Sequence, residues 1–180
     1  MCDHVGVVLV ALTVAGGVVV GCLRGGRLRN LGEIRLRRPA LIGVAVASQL
    51  ALAVAGPNGA VRSVLLVSVN VALLAFTWTN RLLPGTGLLL MGFALNAAVI
   101  TANSGMPVSP SALHAIGEQP ATLAQGRHRL LEAGDWFTVL GDVLPVPALQ
   151  SIYSVGDIAV AAGAGTLVAN LMRPPRRAAS

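Results

Sequence analysis

Long apolar runs alternate with short stretches rich in arginine, glycine and proline along the whole chain. Five runs come near the roughly 20 apolar residues that a helix needs to cross a bilayer. They cover residues 5–23, 40–55, 63–79, 86–102 and 155–172. Prolines and glycines stand in the gaps and mark the helix ends. The pattern predicts an all-α fold, a polytopic membrane helix bundle of about five transmembrane helices that forms one integral membrane domain.

The composition excludes an ordinary water-soluble domain. Hydrophobic residues make up 54% of the 180 residues, and charged residues only 11%. A soluble domain is typically about a quarter charged, because its surface faces water. The lipid bilayer is therefore the expected partner, and binding to other membrane proteins is left open.

The arginines predict the orientation of the bundle. All thirteen basic residues are arginine, and the net charge is +6. In a five-helix arrangement, ten arginines fall on the side of the first connection, the third connection and the C-terminal tail, and three fall on the other side. Positive loops stay in the cytoplasm. We expect a multi-pass protein of the bacterial cytoplasmic membrane, with the N-terminus outside and the C-terminus inside. Aromatics are only 3%, so the arginines do not indicate nucleic acid.

Residues 103–153 form a long loop before the last helix. The loop holds five of the ten prolines and four of the seven acidic residues. Loops of this length are often functional, so we expect it to be structured. Ser109-Pro110 predicts the start of a short helix and Gly117 its end. Residues 139–149 are apolar but too few to span, which predicts an interfacial or re-entrant segment.

Five motifs are spread over nearly the whole chain. They are Leu23-Arg24-Gly25-Gly26-Arg27-Leu28, Asn80-Arg81 with Pro84-Gly85, Asn103-Ser104-Gly105-Met106-Pro107-Val108-Ser109, Leu140-Gly141-Asp142 and Ser154-Val155-Gly156-Asp157. With these motifs the chain resembles a family of bacterial multi-pass membrane proteins that is known only as a domain of unknown function. That family carries a second glycine where Ser104 stands here. The resemblance implies a membrane location and supplies no activity.

Polar residues at the end of the fourth run are the candidates for ligand binding. They are Asn96 inside the run and Asn103, Gly105, Met106, Pro107 and Ser109 after it. One interpretation is that Asn103 and Gly105 end a helix, where a left-handed residue is common. The other is a rigid loop that shapes a pocket at the outer face. Both stay open at the level of sequence.

Two aspartates, Asp142 and Asp157, lie beside or inside apolar sequence, where acids are expensive and often functional. Two facing carboxylates can share a proton and activate water, as in an intramembrane aspartate-dependent hydrolase. The alternative for Asp157 is structural. Ser154-Val155-Gly156-Asp157 has the form of a capping box at the start of the last helix, and we favour this helix-cap interpretation.

Metal and cofactor sites are not expected. His114 and His128 could join Asp135 or Asp142, but no pair has the spacing of a helical zinc motif. The sequence contains no glycine-rich phosphate-binding loop, so it does not indicate a nucleotide ligand. The leading hypothesis is a non-enzymatic accessory, binding or transport-related membrane protein. The alternatives are the hydrolase that uses Asp142 and Asp157, and a small-molecule or lipid carrier that uses Asn70 and Asn96.

Overall fold

The structure, a computed structural model, describes residues 5–33, 35–56, 59–119 and 128–173. It is mostly helical, which confirms the coarse prediction of fold class. The helices are α1 (Val5–Leu23), α2 (Ala40–Ala55), α3 (Gly59–Thr79), α4 (Thr86–Asn103), α5 (Pro110–Ala115) and α6 (Val155–Leu171). Short 3-10 helices cover Leu28–Glu33, Thr138–Leu140 and Pro147–Leu149.

Helices α3 and α4 are long and apolar enough to cross a membrane. Shorter apolar helices cover Val8–Leu23, Ala40–Ala55 and Val155–Leu171. Helix α3 begins at Gly59, whose φ of +58° suits glycine. It therefore includes the charged Arg62, whereas the predicted apolar run began at residue 63. At 1.5 Å per residue, the 21 residues of α3 extend over about 31 Å, close to the thickness of a bilayer core.

The five long helices pack in the order α2, α3, α4, α6, α1. Helix α6 lies between α4 and α1 and approaches both through glycines. A β-carbon built on Gly92 would lie 2.5 Å from the carbonyl oxygen of Gly156, and one built on Gly17 would collide with Gly165. We call these two backbone contacts, α4 with α6 and α1 with α6, the glycine seams. Small residues permit such close approach of helices in a membrane.

Helices α2 and α3 pack through larger side chains. Leu52, Leu66 and Val69 join Val99 and Ile100 of α4 in one buried cluster. The opposite faces are apolar but uncovered. That exposed stripe includes Val46, Leu50 and Val54 of α2 and Val61, Val64, Val67 and Val71 of α3. Val54 is 85% exposed and Val64 is 63% exposed.

The described residues between α4 and α6 form a compact unit, which we call the cap. Its strands are β1 (Met106–Val108), β2 (His128–Leu130), β3 (Leu144–Val146) and β4 (Ser151–Tyr153). Strand β1 pairs in parallel with β2, and β3 pairs antiparallel with β4. These strands depart from the all-α expectation. Strands of three residues are too short to leave an alternating pattern in the sequence.

Two predicted features of the cap have a clear structural outcome. The short helix is confirmed as α5, with Ser109 at its N-cap, proline at its first turn and Gly117 beyond its end at a φ of +79°. Residues 139–149 are not one continuous segment. They contain β3 between two 3-10 turns, and Val139 is 73% exposed. Their placement at a membrane interface stays a prediction.

Candidate functional site

Asn103 joins the end of α4 to the cap. Its side-chain nitrogen donates to the carbonyl oxygens of Val99 and Trp136, both at 2.9 Å. Its side-chain oxygen accepts from the backbone N–H of Trp136 at 2.9 Å. The next residue, Ser104, is the C-cap and adopts a left-handed φ of +56°. A non-glycine residue in that region is uncommon, and glycine adopts it without steric penalty.

Arg129 and Asp135 hold the same corner of the cap from the other side. The Arg129 Nε–H donates to the Asn103 carbonyl oxygen at 2.9 Å, and its Nη2 forms an ion pair with Asp135. Burial raises the pKa of Asp135. The backbone N–H of Glu132 and the guanidinium of Arg129 lower it by more, so the pKa lies below its ordinary value of 3.8. The Asp135 side chain is therefore an anion at neutral pH that fixes one arginine.

His128 and Asp142 form a second polar pair in the cap. The His128 Nε2 lies 3.4 Å from the Asp142 Oδ2, and both side chains are largely buried. Backbone contacts position Asp142 against β1: its N–H donates to the Pro107 carbonyl at 2.9 Å, and its carbonyl accepts from the Ser109 N–H at 3.0 Å. The pairing of β1 with β2 brings His128 to the same place.

The His128–Asp142 pair lines a small cleft of about 20 Å³. The other lining residues are Val108, Ile116, Gln150, Ser151 and Ile152. A space of this size holds about one water molecule or a polar group of similar size. An imidazole can donate or accept, and a carboxylate accepts, so the cleft suits a small hydrogen-bonding group.

Asn96, Ser154 and Asp157 form a third cluster between α4 and α6. Ser154 and Asp157 make a capping box: the Asp157 N–H donates to the Ser154 Oγ at 3.0 Å, and the Ser154 N–H donates to the Asp157 Oδ2 at 3.0 Å. The Asn96 Nδ2 donates to the Asp157 Oδ1 at 2.9 Å. The Ser154 hydroxyl lies 3.0 Å from the Asn96 Oδ1 and completes the cluster.

The two aspartates therefore have different surroundings. Both Asp157 oxygens accept hydrogen bonds, from Asn96 on one side and from Ser154 on the other. Asp142 lies against β1 and pairs with His128. A carboxylate that holds a helix N-terminus in this way is poorly placed to share a proton with a second acid, so the geometry gives the hydrolase hypothesis no support.

Most of the candidate binding residues lie in packed regions. Asn103, Gly105, Met106 and Pro107 are buried, and Met106 is 0% exposed. The Ser109 Oγ is 2.8 Å from the Ser111 Oγ at the start of α5. The role of these residues in binding stays a prediction. Asn70, offered for a carrier, donates to the Leu66 carbonyl of its own helix at 2.8 Å.

A polar contact that the sequence did not reveal lies at the other end of α3. The Asn80 side chain accepts from the Arg37 N–H at 2.9 Å and donates to the Arg37 carbonyl at 3.0 Å. Asn80 is 4% exposed. It therefore joins the backbone of the arginine-rich first connection to the end of α3. The Asn80-Arg81 motif was the available signal in the sequence, but Arg37, to which Asn80 bonds, is 43 residues away.

Among the residues that the structure describes, no group of three or more histidine, cysteine or acidic side chains could hold a metal ion. His128 and Asp142 were considered above as possible metal ligands. The structure brings these two side chains together, but with no third ligand of this kind among the described residues. His114 lies in the last turn of α5.

Comparison with known proteins identifies a family and no activity. No curated protein and no solved structure matches the chain. The sequence profile of DUF5317, a family of unknown function, matches residues 33–169. This span begins just before the Arg37 segment and includes Asn80, Asn103, the cap and the Ser154–Asp157 capping box. The chain therefore belongs to the DUF5317 family of proteins of unknown function.

Proposed function

We propose that the chain is a non-enzymatic integral membrane protein with five spans, and that its cap is an outward-facing binding unit. The main support for the membrane placement is the uncovered apolar stripe on α2 and α3, where Leu50, Val54 and Val64 are all more than half exposed. A side chain of this kind gains roughly 1.5–3 kcal/mol when it leaves water. A bilayer supplies that gain along the whole stripe.

The distribution of polar contacts supports the crossing. Helix α3 has one end near the cap, where the Arg62 Nη1 donates to the Ser104 carbonyl at 3.2 Å. Its other end meets the first connection through Asn80 and Arg37. The arginine-rich connection and the cap thus occupy opposite ends of one apolar helix. Arginine-rich connections face the cytoplasm, so the cap faces outward in this proposal.

The binding role rests on the cleft beside His128 and Asp142. The cleft lies in a unit that two strand pairs and the Asn103 contacts hold in shape. Rigid units that present polar groups on loops are common binding sites. We propose that the cleft binds a small polar group of a ligand or of a membrane partner.

Cysteine labelling tests the topology. In a background without Cys2 and Cys22, Ala133→Cys in the cap should react with an impermeant thiol reagent on intact cells. Arg29→Cys in the first connection should react only after the cells are permeabilised. Both positions are exposed, so accessibility within the protein does not limit either reaction. Equal labelling on intact cells, or the reverse pattern, would contradict the proposal.

Site-specific photo-crosslinking tests the binding role. A photoreactive amino acid at Gln150, which lines the cleft, should give a discrete adduct in cells that Asp142→Asn abolishes. The same amino acid at Ala133, outside the cleft lining, is the matched control. Adducts at both positions, or none at Gln150, would remove the cleft from the proposal and leave the topology to the labelling experiment.

A further inference from the structure

A second cleft, at the end of the molecule opposite the cap, is lined by Arg37, Arg38 and Thr79. It is open, with a volume of about 410 Å³. Its volume exceeds that of the His128 cleft by an order of magnitude, and two of its three lining residues are arginines. The cleft is separate from the binding unit proposed for the cap.

The backbone that carries these arginines is held in place. Asn80 makes two hydrogen bonds to the backbone of Arg37, as a neighbouring strand would. Arg38 has a left-handed φ of +53°, and α2 begins directly after Pro39. Non-glycine residues adopt that φ uncommonly, and such residues persist where surrounding contacts determine them. The side chains of the two arginines therefore extend from a backbone that is held in place.

Arg37 and Arg38 give the cleft a positive charge. Within the part of the chain that the structure describes, neither Arg37 nor Arg38 forms an ion pair. Glu33 is the one acidic residue of this face among the described residues, and its side chain is exposed. The Thr79 hydroxyl donates to the Phe76 carbonyl at 2.9 Å, so Arg37 and Arg38 are the lining residues whose side chains can supply charged donors. Arginine forks match the geometry of phosphate oxygens.

The adjacent turn of α3 indicates the depth of the cleft in a bilayer. Trp78 is 57% exposed, and the Arg81 guanidinium lies 4.8 Å from the centre of its ring. Exposed tryptophans of membrane proteins favour the level of the lipid headgroups. Thr79, which follows Trp78, places the cleft at that level.

We propose that the Arg37–Arg38 cleft binds a phosphate group, and that the group belongs to the headgroup of an anionic phospholipid. The inference names a ligand class that the proposed function does not, and it shares with that function only the placement in a membrane. A soluble phosphate offers the same chemistry, so the test separates the two sources.

Binding is measured on the full chain in detergent by native mass spectrometry. The probes are dioleoylphosphatidylglycerol, dioleoylphosphatidylcholine as the zwitterionic control, and inorganic phosphate. The wild type should retain phosphatidylglycerol in preference to phosphatidylcholine. The double variant R37Q/R38Q should bind phosphatidylglycerol about tenfold more weakly or worse, because two charge-assisted contacts are lost.

The matched control is R29Q/R35Q, which removes the same charge from the same connection outside the cleft lining. It should bind within about twofold of the wild type if local geometry decides affinity. Asn80→Ala provides a second variant that keeps every arginine. It frees the Arg37 backbone and should weaken phosphatidylglycerol binding in the same direction as R37Q/R38Q. Circular dichroism of each variant verifies that the helices remain.

The outcomes separate clearly. Equal weakening in both double variants would show diffuse attraction and overturn the site, as would undiminished binding by R37Q/R38Q or no lipid binding by the wild type. Inorganic phosphate binding with the same arginine dependence, but without a preference for phosphatidylglycerol, would keep the phosphate site and overturn the lipid source. None of these results alters thiol labelling, so failure of the topology would be seen separately.

Discussion

The two sides of the bundle are built by different means. On one side, α6 meets α4 and α1 through glycines, and backbone lies almost against backbone. On the other, α2 meets α3 through leucines and valines and leaves an apolar stripe uncovered. The glycines Gly16, Gly43 and Gly87 have open space around them, whereas Gly17 and Gly92 have none. The presence of a glycine in a helix does not by itself indicate a close helix contact, because the contact depends on which face of the helix the glycine occupies.

The difference has a physical basis. In the membrane placement proposed above, the hydrophobic effect does not drive helices together, so close packing and interhelical hydrogen bonds must do so. The α4–α6 seam has both, because Asn96 bonds to the Ser154–Asp157 capping box in addition to the glycine contacts. The α2–α3 pair relies on side-chain packing, and Asn70 bonds within its own helix. The seams should therefore tolerate substitution least.

Gly92→Ala should have the largest effect on stability. A β-carbon there meets the Gly156 carbonyl oxygen at 2.5 Å and the Val160 backbone nitrogen at 2.8 Å, so the two helices must separate. Overpacking of this kind costs about 1–3 kcal/mol, and rigid backbone neighbours place this site near 3 kcal/mol. Thermal unfolding in detergent, followed by circular dichroism, measures the loss.

Two controls accompany that prediction. Gly87→Ala lies in the same helix and Gly43→Ala in α2, and both have open space. Each should leave stability unchanged or raise it by up to about 1 kcal/mol, because alanine favours a helix more than glycine does. A loss at Gly43 equal to that at Gly92 would erase the distinction between the two sides. Gly16→Ala against Gly17→Ala repeats the comparison in α1.

Asn96→Ala should have an intermediate effect. It removes the donor to Asp157 and leaves that carboxylate with only its capping contacts. Interhelical hydrogen bonds in membranes contribute about 0.6–1.7 kcal/mol, and we expect a loss of about 1.5 kcal/mol. Asn70→Ala, whose amide bonds to its own helix, should lose less than about 0.5 kcal/mol. If the two variants lose the same stability, then the hydrogen bond between α4 and α6 does not strengthen the seam.

The smallest effect concerns the cap, which is joined to α4 through Asn103. The pKa of Asp135 lies below 3.8, so the stability from its ion pair is present above about pH 4 and is lost as pH falls through the folded pKa. In a Trp78→Phe background, Trp136 fluorescence should change below pH 3.8. Asp135→Asn should show the altered signal already at neutral pH and no further acid step.

Glu132→Gln is the control for the Asp135 experiment. The Glu132 side chain is 78% exposed and lies 3.9 Å from Arg129, too loosely paired to matter. Its acid transition should match that of the wild type. An unchanged acid transition in Asp135→Asn would assign the transition to another group.

The sequence reveals the helices well because their signal is local. Pro39 and the glycines at Gly56 and Gly85 mark helix boundaries, and the Ser154-Val155-Gly156-Asp157 motif contains both halves of its capping box. Short spacing along the chain translates directly into contact in a helix. The short α5 is likewise predictable from Ser109-Pro110 and Gly117.

Contacts between distant residues could not be predicted. His128 meets Asp142 because β1 and β2 pair, and the three residues of each strand carry no periodic signal. In the sequence, Arg129 is one of the three arginines on the side with fewer arginines, and nothing links it to Asn103 or Asp135. Asn80 and Arg37 meet across 43 residues. Nearby sequence does not specify which distant group satisfies a buried amide.

The position of α6 between α4 and α1 has a consequence for biosynthesis. Helix α1 is made first, but its main contact is with α6, and Gly165 of that contact is synthesised 148 positions after Gly17. In the proposed membrane placement, α1 therefore remains with Gly17 uncovered during translation, while α2, α3 and α4 can already pack in sequence. Ribosomes that stall before residue 155 would release chains whose two seams are both open.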